Sequence, residues 1–313
     1  MTSGLASLLR ERLRGQVLED ELLARHTSLK VGGVADIFAV PADRDELQTL
    51  LAILSERKAP YLLIGGGYNL LVRDGGIRGV VISLARMAAI EPLPGNRLDV
   101  EAGVTNRQLV SFCRERGLAG AEFLAGIPGT VGGALAMNAG AHGGAILELV
   151  VSLSTLKEGV VVTTERSELS YGYRNLELAP GEIILGAQLQ LATGDPVALA
   201  ERIDGYLAHR RQHQNVGFPN AGSFFKNPSG EQAWRLIDQA GLRGCRVGGA
   251  QVSEVHTNFL VNTGGATADD FLELARIIKE RVKERSGVEL EEEVRIVGED
   301  GDWGLGTGDW YNL

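Results

Sequence analysis

Hydrophobic positions along the chain fall into helical and extended rhythms that can be followed from end to end. Leu47, Leu50, Leu51 and Leu54 recur at helical spacing within 45–58, and Pro60 closes that stretch before the apolar run 61–64. The pattern predicts a helix leading into a buried strand, because residues three and four apart share one helix face while a short apolar run suits a covered strand. Residues 80–84 and 98–104 read as further strands, separated by the turn formers Pro94, Gly95 and Asn96. Thr105, followed by Gln108, makes a capping box for a helix that carries Leu109, Phe112 and Cys113 and stops at Gly117. Residues 149–156 and 160–164 flank Lys157, Glu158 and Gly159 as a hairpin, and 183–191 continues its sheet. Asp195 and Pro196 supply an N-cap and a first-turn proline for a connecting helix to about His209. Helices are also predicted over 231–240, ended by Gly241, and over 268–286, between Thr267 and Gly287, with a strand over 288–297.

A length of 313 residues exceeds what one hydrophobic core usually fills, so more than one packed unit is expected, with a boundary in the connector near residue 205. The 31 basic and 40 acidic residues leave a net charge of −9, which disfavours a nucleic-acid partner. No apolar run approaches the ~20 residues needed to span a bilayer, and the first residues mix Leu with Arg and Glu in place of a secretory signal. A cytoplasmic protein with no membrane insertion is the expectation. Cys113 and Cys245 lack CxxC spacing, the histidines lie near no cysteine cluster, and no catalytic metal is expected.

The 42 glycines are clustered, and two clusters carry candidate chemistry. Gly65, Gly66 and Gly67 follow the apolar run 61–64 and precede Tyr68, Asn69 and Leu70. Three glycines at a strand end let the backbone approach a ligand, and successive N–H groups there can cradle a phosphate. The second cluster runs through Pro128, Gly129, Thr130, Gly132, Gly133 and Ala134, and then Asn138, Ala139 and Gly140. Neither cluster is a G-x-G-x-x-G turn opening a helix nor a Walker A loop. Two low-bulk loops in one half-chain suit a dinucleotide, without saying which one.

In the second half, Ser223 follows a glycine and precedes two aromatics, Lys226 and Asn227. It has no Gly-x-Ser-x-Gly elbow, so a nucleophile is a poor reading, while a positioned proton donor or a simple turn serine both remain. Tyr173 and Arg174 end the β-rich middle, where an arginine fork suits a carboxylate, an enolate or a surface ion pair. Glu289, Glu291, Glu292 and Glu293 crowd an expected strand, and nothing local selects one of them; period-two alternation puts Glu292 with Leu290 and Val294, and Glu293 with Glu291 and Arg295. His256 reads as a hydrogen-bonded structural histidine.

Taken in order, these segments resemble the UDP-N-acetylenolpyruvoylglucosamine reductase family. The resemblance runs from about His26 to Gly298. It rests on His26-Thr27-Ser28 with Gly32-Gly33, the GGGYNLLV loop, the GIPGTVGGA and MNAGA ribbon, Tyr173-Arg174, GSFFKNP, SEVHTNFLVN and LEEEVRIVG. It implies an α+β fold: an FAD-binding portion of the vanillyl-alcohol-oxidase type in two subdomains, 1–90 and 91–205, a substrate-binding domain over 206–300, and a tail over 301–313. It implies FAD as cofactor, on the residues of the two glycine clusters, with NADPH and UDP-N-acetylglucosamine enolpyruvate as partners and no obligate protein partner. By the same matching Ser223 is the proton donor, Arg174 and Glu293 stabilise an enolate, Tyr173, Lys226 and Asn227 meet substrate, and Arg211 meets its diphosphate.

The chain departs from the family pattern at Tyr68, where Ser is usual, at His142, where Tyr is frequent, and at Asn215, where Pro usually follows Gln214. It also lacks an evident insertion of the tyrosine-bearing loop that closes over substrate in one branch, which places it in the shorter branch. An oxygen-using flavin oxidase and a non-catalytic nucleotide-binding module are the competing readings. The first predicts flavin reduction by a sugar or alcohol, the second no effect of Ser223→Ala.

Overall fold

The structure, a computed structural model, describes residues 2–299, so the expected tail over 301–313 lies outside the described residues. The first large sheet has the order Gln16–Leu22, Val34–Val40, Ile77–Ser83, Tyr61–Ile64; its first pair is antiparallel and the other two are parallel. Gln16–Leu22 and Val34–Val40 were not foreseen. Gln16–Leu22 is an edge strand, QVLEDEL, whose exposed Glu19 and Asp20 interrupt its alternation. The predicted helix is found at Arg44–Arg57, where the Asp43 carboxylate accepts the Glu46 N–H and Leu47, Leu50 and Leu54 are buried.

The second sheet is antiparallel throughout, in the order Val160–Glu165, Val150–Lys157, Ile183–Gln190, Arg97–Glu101, Ile90–Leu93. Its expected hairpin turns on Glu158 and Gly159, both at positive φ, 49° and 79°, the geometry that matches strand twist in a two-residue turn. One buried cluster links both sheets, from Leu47 and Val80 to Leu98, Leu153 and Leu185.

The third sheet, Asn220–Ser223, Phe259–Asn262, Ala250–Val252, Arg246–Val247, is antiparallel and forms a second core with the helices Ala233–Gln239 and Ala268–Ser286. Leu29 and Leu71, from the N-terminal half, are buried in that core beside Phe224, Phe225 and Phe271. Asp74 also crosses over, its two carboxylate oxygens accepting the N–H groups of Ala268 and Asp269 at 3.0 Å and capping the long helix from outside.

Two expectations need correction. The connecting helix is Pro196–Gln214, five residues longer than expected. Of the predicted strand 288–297 only Arg295–Val297 is regular, and it pairs in parallel with Leu70–Val72. The preceding glutamates are instead pinned in an irregular path, because the Phe224 carbonyl accepts from both Glu293 N–H (2.8 Å) and Val294 N–H (3.3 Å). Side-chain alternation therefore does not apply to them. No helix among the described residues is long and apolar enough to cross a membrane.

Glu46 is a buried carboxylate, 5% exposed, that ties the helix Arg44–Arg57 to the segment entering the edge strand Gln16–Leu22. It accepts the backbone N–H groups of Arg14 (2.7 Å), Gly15 (2.9 Å) and Ala42 (2.9 Å), and also Arg14 Nε (2.8 Å). Burial pushes its pKa up, but the Ala42, Arg14 and Gly15 hydrogen bonds outweigh that and hold it below the usual range. A depressed folded pKa gives stability that is present above the unfolded value and lost as pH falls through the folded one. Glu46→Gln is expected to lose about 2 kcal/mol in urea unfolding at pH 7, with the deficit shrinking under acid; an equal deficit at every pH would contradict this account.

Candidate active site

The first glycine loop crosses from the strand Tyr61–Ile64 to the strand Leu70–Val72. Gly67 sits at φ 66°, and a Cβ there would collide with the His26 carbonyl oxygen. Only glycine lets the loop lie against 26–28, where the Ser28 N–H donates to the Gly67 carbonyl at 2.9 Å. Asn69 then joins the loop to the far end of the chain. Its Nδ2 donates to the Glu293 carbonyl at 3.0 Å, and its own carbonyl accepts the Arg295 N–H at 3.1 Å.

The second cluster enters the short helix Val131–Ala136 behind Thr130, whose hydroxyl accepts the Gly133 N–H at 3.4 Å. The Val131 and Gly132 N–H groups donate to the carbonyls of Val104 and Ala102 at 2.7 and 2.8 Å. These donors hold the loop onto the second sheet. Asn138 adopts φ 40° and is likewise engaged: Nδ2 donates to the Gly172 carbonyl at 2.9 Å, and Oδ1 accepts the Leu147 N–H at 3.3 Å. Its side chain thus braces the turn that carries Arg174.

Arg174 lies in the tight turn between the paired strands Tyr171–Gly172 and Asn175–Leu176, at φ 56°. A left-handed arginine is strained, and such strain persists only where the surroundings hold it. Its Nη1 donates to the Gly140 carbonyl at 3.3 Å and its Nε lies 3.1 Å from Glu293 Oε1. That N–H is not aligned on the carboxylate, and Nε is buried without a hydrogen-bond partner. Burial pushes the Glu293 carboxyl above its ordinary pKa, against the lowering influence of Arg174 and then Lys226. Ser223, at the end of Asn220–Ser223, is brought beside Glu293 through the Phe224 carbonyl.

The four glutamates are sorted by their cations. Glu289 pairs with Lys283 at 2.5 Å, Glu291 with Lys226, and Glu292 with Lys279 at 3.0 Å. Glu293 alone of the four turns to Arg174 and the cleft.

Two joined chambers surround the loops. One, of about 870 Å³, is lined by Ser83, Ala85, Gly103, Gln108 and Glu182 among others; the other, of about 620 Å³, is bordered by Arg174, Arg210, Ser223 and Glu293. Gly65, Gly66, Thr130 and Gly133 border both. Each falls in the ~300–1,000 Å³ range of small-molecule sites, and the glycine seam between them suits a ligand with two bulky ends and a narrow middle. Gly67, Tyr68, Asn69, Leu70, Pro128, Gly129, Ala134, Ala139 and Gly140 also line the second chamber, and Gly132 lines the first. Ser28 Oγ and Asn106 Oδ1, on residues lining the second, are buried without partners among the described residues and suit a ligand's polar groups. These residues fit a dinucleotide such as FAD.

Other expected contacts are placed differently. Arg211 points away from the cleft and is exposed, whereas Arg210 borders the chamber; one residue on a helix is a ~100° rotation, which sequence reading did not resolve. Arg210 makes no hydrogen bond or ion pair among the described residues, and burial pushes its guanidinium pKa down. Its packing against Gly126 was the signal available only in three dimensions. Lys226 is held by Glu291, and the exposed Asn227 accepts the Ala233 N–H through Oδ1 at 3.1 Å, so neither side chain borders the cleft. Tyr173 is 64% exposed beside Arg174, its ring 5.4 Å from the guanidinium. The His256 ring is tilted 48° against Phe259 with centroids 4.6 Å apart, and its Nδ1 is buried with no hydrogen-bond partner among the described residues.

Comparison with known proteins places the chain in a family. The family model "FAD binding domain" matches residues 35–165, and "UDP-N-acetylenolpyruvoylglucosamine reductase, C-terminal domain" matches 212–297. UDP-N-acetylenolpyruvoylglucosamine reductase of Geotalea uraniireducens is 64% identical over 300 residues, 96% of this chain and 100% of that protein. The enzyme of the same name from Geobacter metallireducens is 65% identical over the same shares. The crystal structure of the reductase from Thermus caldophilus superposes with a TM-score of 0.77 at 35% identity, covering 91% of this chain and 99% of that one. With such identity along almost the whole of both chains, this protein belongs to the UDP-N-acetylenolpyruvoylglucosamine reductase family.

Proposed function

We propose that this protein reduces the enolpyruvyl group of UDP-N-acetylglucosamine enolpyruvate to UDP-N-acetylmuramate, a step of peptidoglycan precursor synthesis, in the cytoplasm, with FAD as cofactor and NADPH as electron source. The observation that carries the reading is the convergence of Arg174, Glu293 and Ser223, from three distant segments, on the chamber that the two glycine loops also line. The units 1–90, 91–205 and 206–300 belong to the same reading, the first two holding cofactor and the third presenting substrate.

FAD held along the two glycine loops would supply hydride chemistry, with NADPH as the electron source. The protein must manage the charge left on the substrate once its vinyl carbon has accepted a hydride. Arg174 is suited to that task, because its buried, unaligned Nε–H has no other acceptor and meets a developing oxyanion without rearrangement. Glu293, kept protonated to higher pH by burial, donates a hydrogen bond to the same oxygen. Ser223 delivers the proton to carbon. Arg210 replaces Arg211 as the cation for the substrate diphosphate, being unpaired and on the cleft. Tyr173 contacts substrate from the rim, and Lys226 and Asn227 do so after release from Glu291 and Ala233.

The reading is tested by following NADPH oxidation by the purified flavoprotein with and without the enolpyruvyl substrate; oxidation indifferent to that substrate rules it out. Ser223→Ala is expected to leave flavin reduction by NADPH near wild-type while slowing flavin reoxidation by substrate about 10³-fold in stopped flow. Equal slowing of both half-reactions would remove Ser223 from proton delivery. If protonated Glu293 is the donor, reoxidation slows as pH rises through its raised pKa, and Glu293→Gln, which keeps a donor but does not titrate, flattens that limb; a limb that persists in Glu293→Gln belongs to another group. Arg210→Ala should raise KM for the nucleotide substrate by about 10–100-fold with a smaller change in kcat, whereas Arg211→Ala should stay within about twofold. The reverse ranking would restore Arg211.

A further inference from the structure

We propose that Tyr68 is a cofactor-retaining residue whose ring seals the seam between the two glycine loops, so that its removal speeds loss of FAD. This rests on the FAD reading above and concerns how tightly this chain holds that group. Tyr68 lines the second chamber and is 45% exposed, and it belongs to none of the buried hydrophobic clusters, so core packing does not account for it.

Its position is set by both loops at once. A Cβ built on Gly66 would lie 2.9 Å from the ring's Cδ2, and one built on Gly129 would lie 3.7 Å from the same atom. The ring therefore rests against bare backbone from each loop, and glycine at both positions is what allows it to lie there. Gly65 and Gly66 on one side and Thr130 and Gly133 on the other border both chambers, so the covered seam is the narrow passage between them. The Tyr68 hydroxyl makes no hydrogen bond among the described residues, which leaves the ring itself as the functional part.

The physical consequence follows from water exclusion. Backbone N–H groups bind an anion more strongly where solvent cannot compete, and an aromatic plate over a glycine seam removes solvent without offering a competing acceptor. Ser28 lies under the same loop, with its N–H on the Gly67 carbonyl and its Oγ buried and unpartnered. A polar group passing through the seam would find Ser28 Oγ available, and escape of that group would be slowed by the ring.

The test is the rate at which the purified holoprotein releases FAD on dilution, read by recovery of free-flavin fluorescence, for wild type, Tyr68→Ser, Tyr68→Leu and Tyr68→Phe. Tyr68→Ser should release FAD about tenfold faster or more, Tyr68→Phe at the wild-type rate, and Tyr68→Leu, which keeps apolar bulk should the Ser variant not fold, at an intermediate rate. Excess FAD in the assay should restore turnover to the Ser variant. Unchanged release in folded Tyr68→Ser and Tyr68→Leu overturns the proposal, as does a rise in KM for the nucleotide substrate without faster release, which would make Tyr68 a substrate contact. Fast release from Tyr68→Phe would show that the hydroxyl acts instead, and also overturns it. Absence of FAD from folded wild type would be a failure of the functional reading itself.

Discussion

The arrangement of the site depends on one pairing: the strand Arg295–Val297 laid in parallel beside Leu70–Val72. Its register is pinned at the site end by Asn69, which donates through Nδ2 to the Glu293 carbonyl and accepts the Arg295 N–H on its own carbonyl. A slip of one residue would turn every side chain of the strand to the opposite face and carry Glu293 out of the chamber. The same pairing buries Leu71 in the C-terminal core, so the contact that places Glu293 at the chamber is backed by apolar burial.

From that pairing the remaining groups are reached by backbone hydrogen bonds. Glu293 donates to the Phe224 carbonyl and thereby fixes Ser223, and the Asn138 amide holds the turn that presents Arg174 across the chamber. Rigid placement of this kind is what the proposed roles of these residues require, since a fixed acid or cation needs no reorganisation when charge develops. Strain gathers at the same place. Asn138 and Arg174 both adopt left-handed backbone, held by the Gly172 carbonyl and by Glu293 and Gly140, which is the expected distribution for a site whose neighbours over-determine it.

Around this centre the charges are arranged so that one carboxylate is exceptional. Glu289, Glu291 and Glu292 each meet a lysine, and such exposed pairs contribute little beyond keeping those side chains occupied. Glu293 is desolvated against an arginine and is the one of the four whose protonation is shifted upward. Arg210 is the complementary case, a half-buried cation bordering the chamber with no acceptor among the described residues. Buried charge without a partner is costly, and its presence beside the chamber is explained when an anionic ligand completes it.

Local features were legible in the sequence because their energetics lie within a few residues. The Thr105–Gln108 capping box, the turn at Glu158 and Gly159, and the helix Ala268–Ser286 between Thr267 and Gly287 are all found where the pattern predicts. The two glycine loops were legible as low-bulk loops for the same reason, and the structure lines both chambers with them, while ordered motifs pointed to Arg174, Ser223 and Glu293 by resemblance. Periodicity failed where partners are distant: Gln16–Leu22 is a polar edge strand stabilised by Val34–Val40, and residues 288–294 follow the Phe224 carbonyl in place of their own alternation. Which of two adjacent arginines meets the chamber, which glutamate is desolvated and which glycines the Tyr68 ring rests against were decided by tertiary structure alone. Each depends on contacts between remote segments, such as the Asn69–Glu293 bond across 224 positions, and a contact of that span leaves no mark on the local sequence pattern.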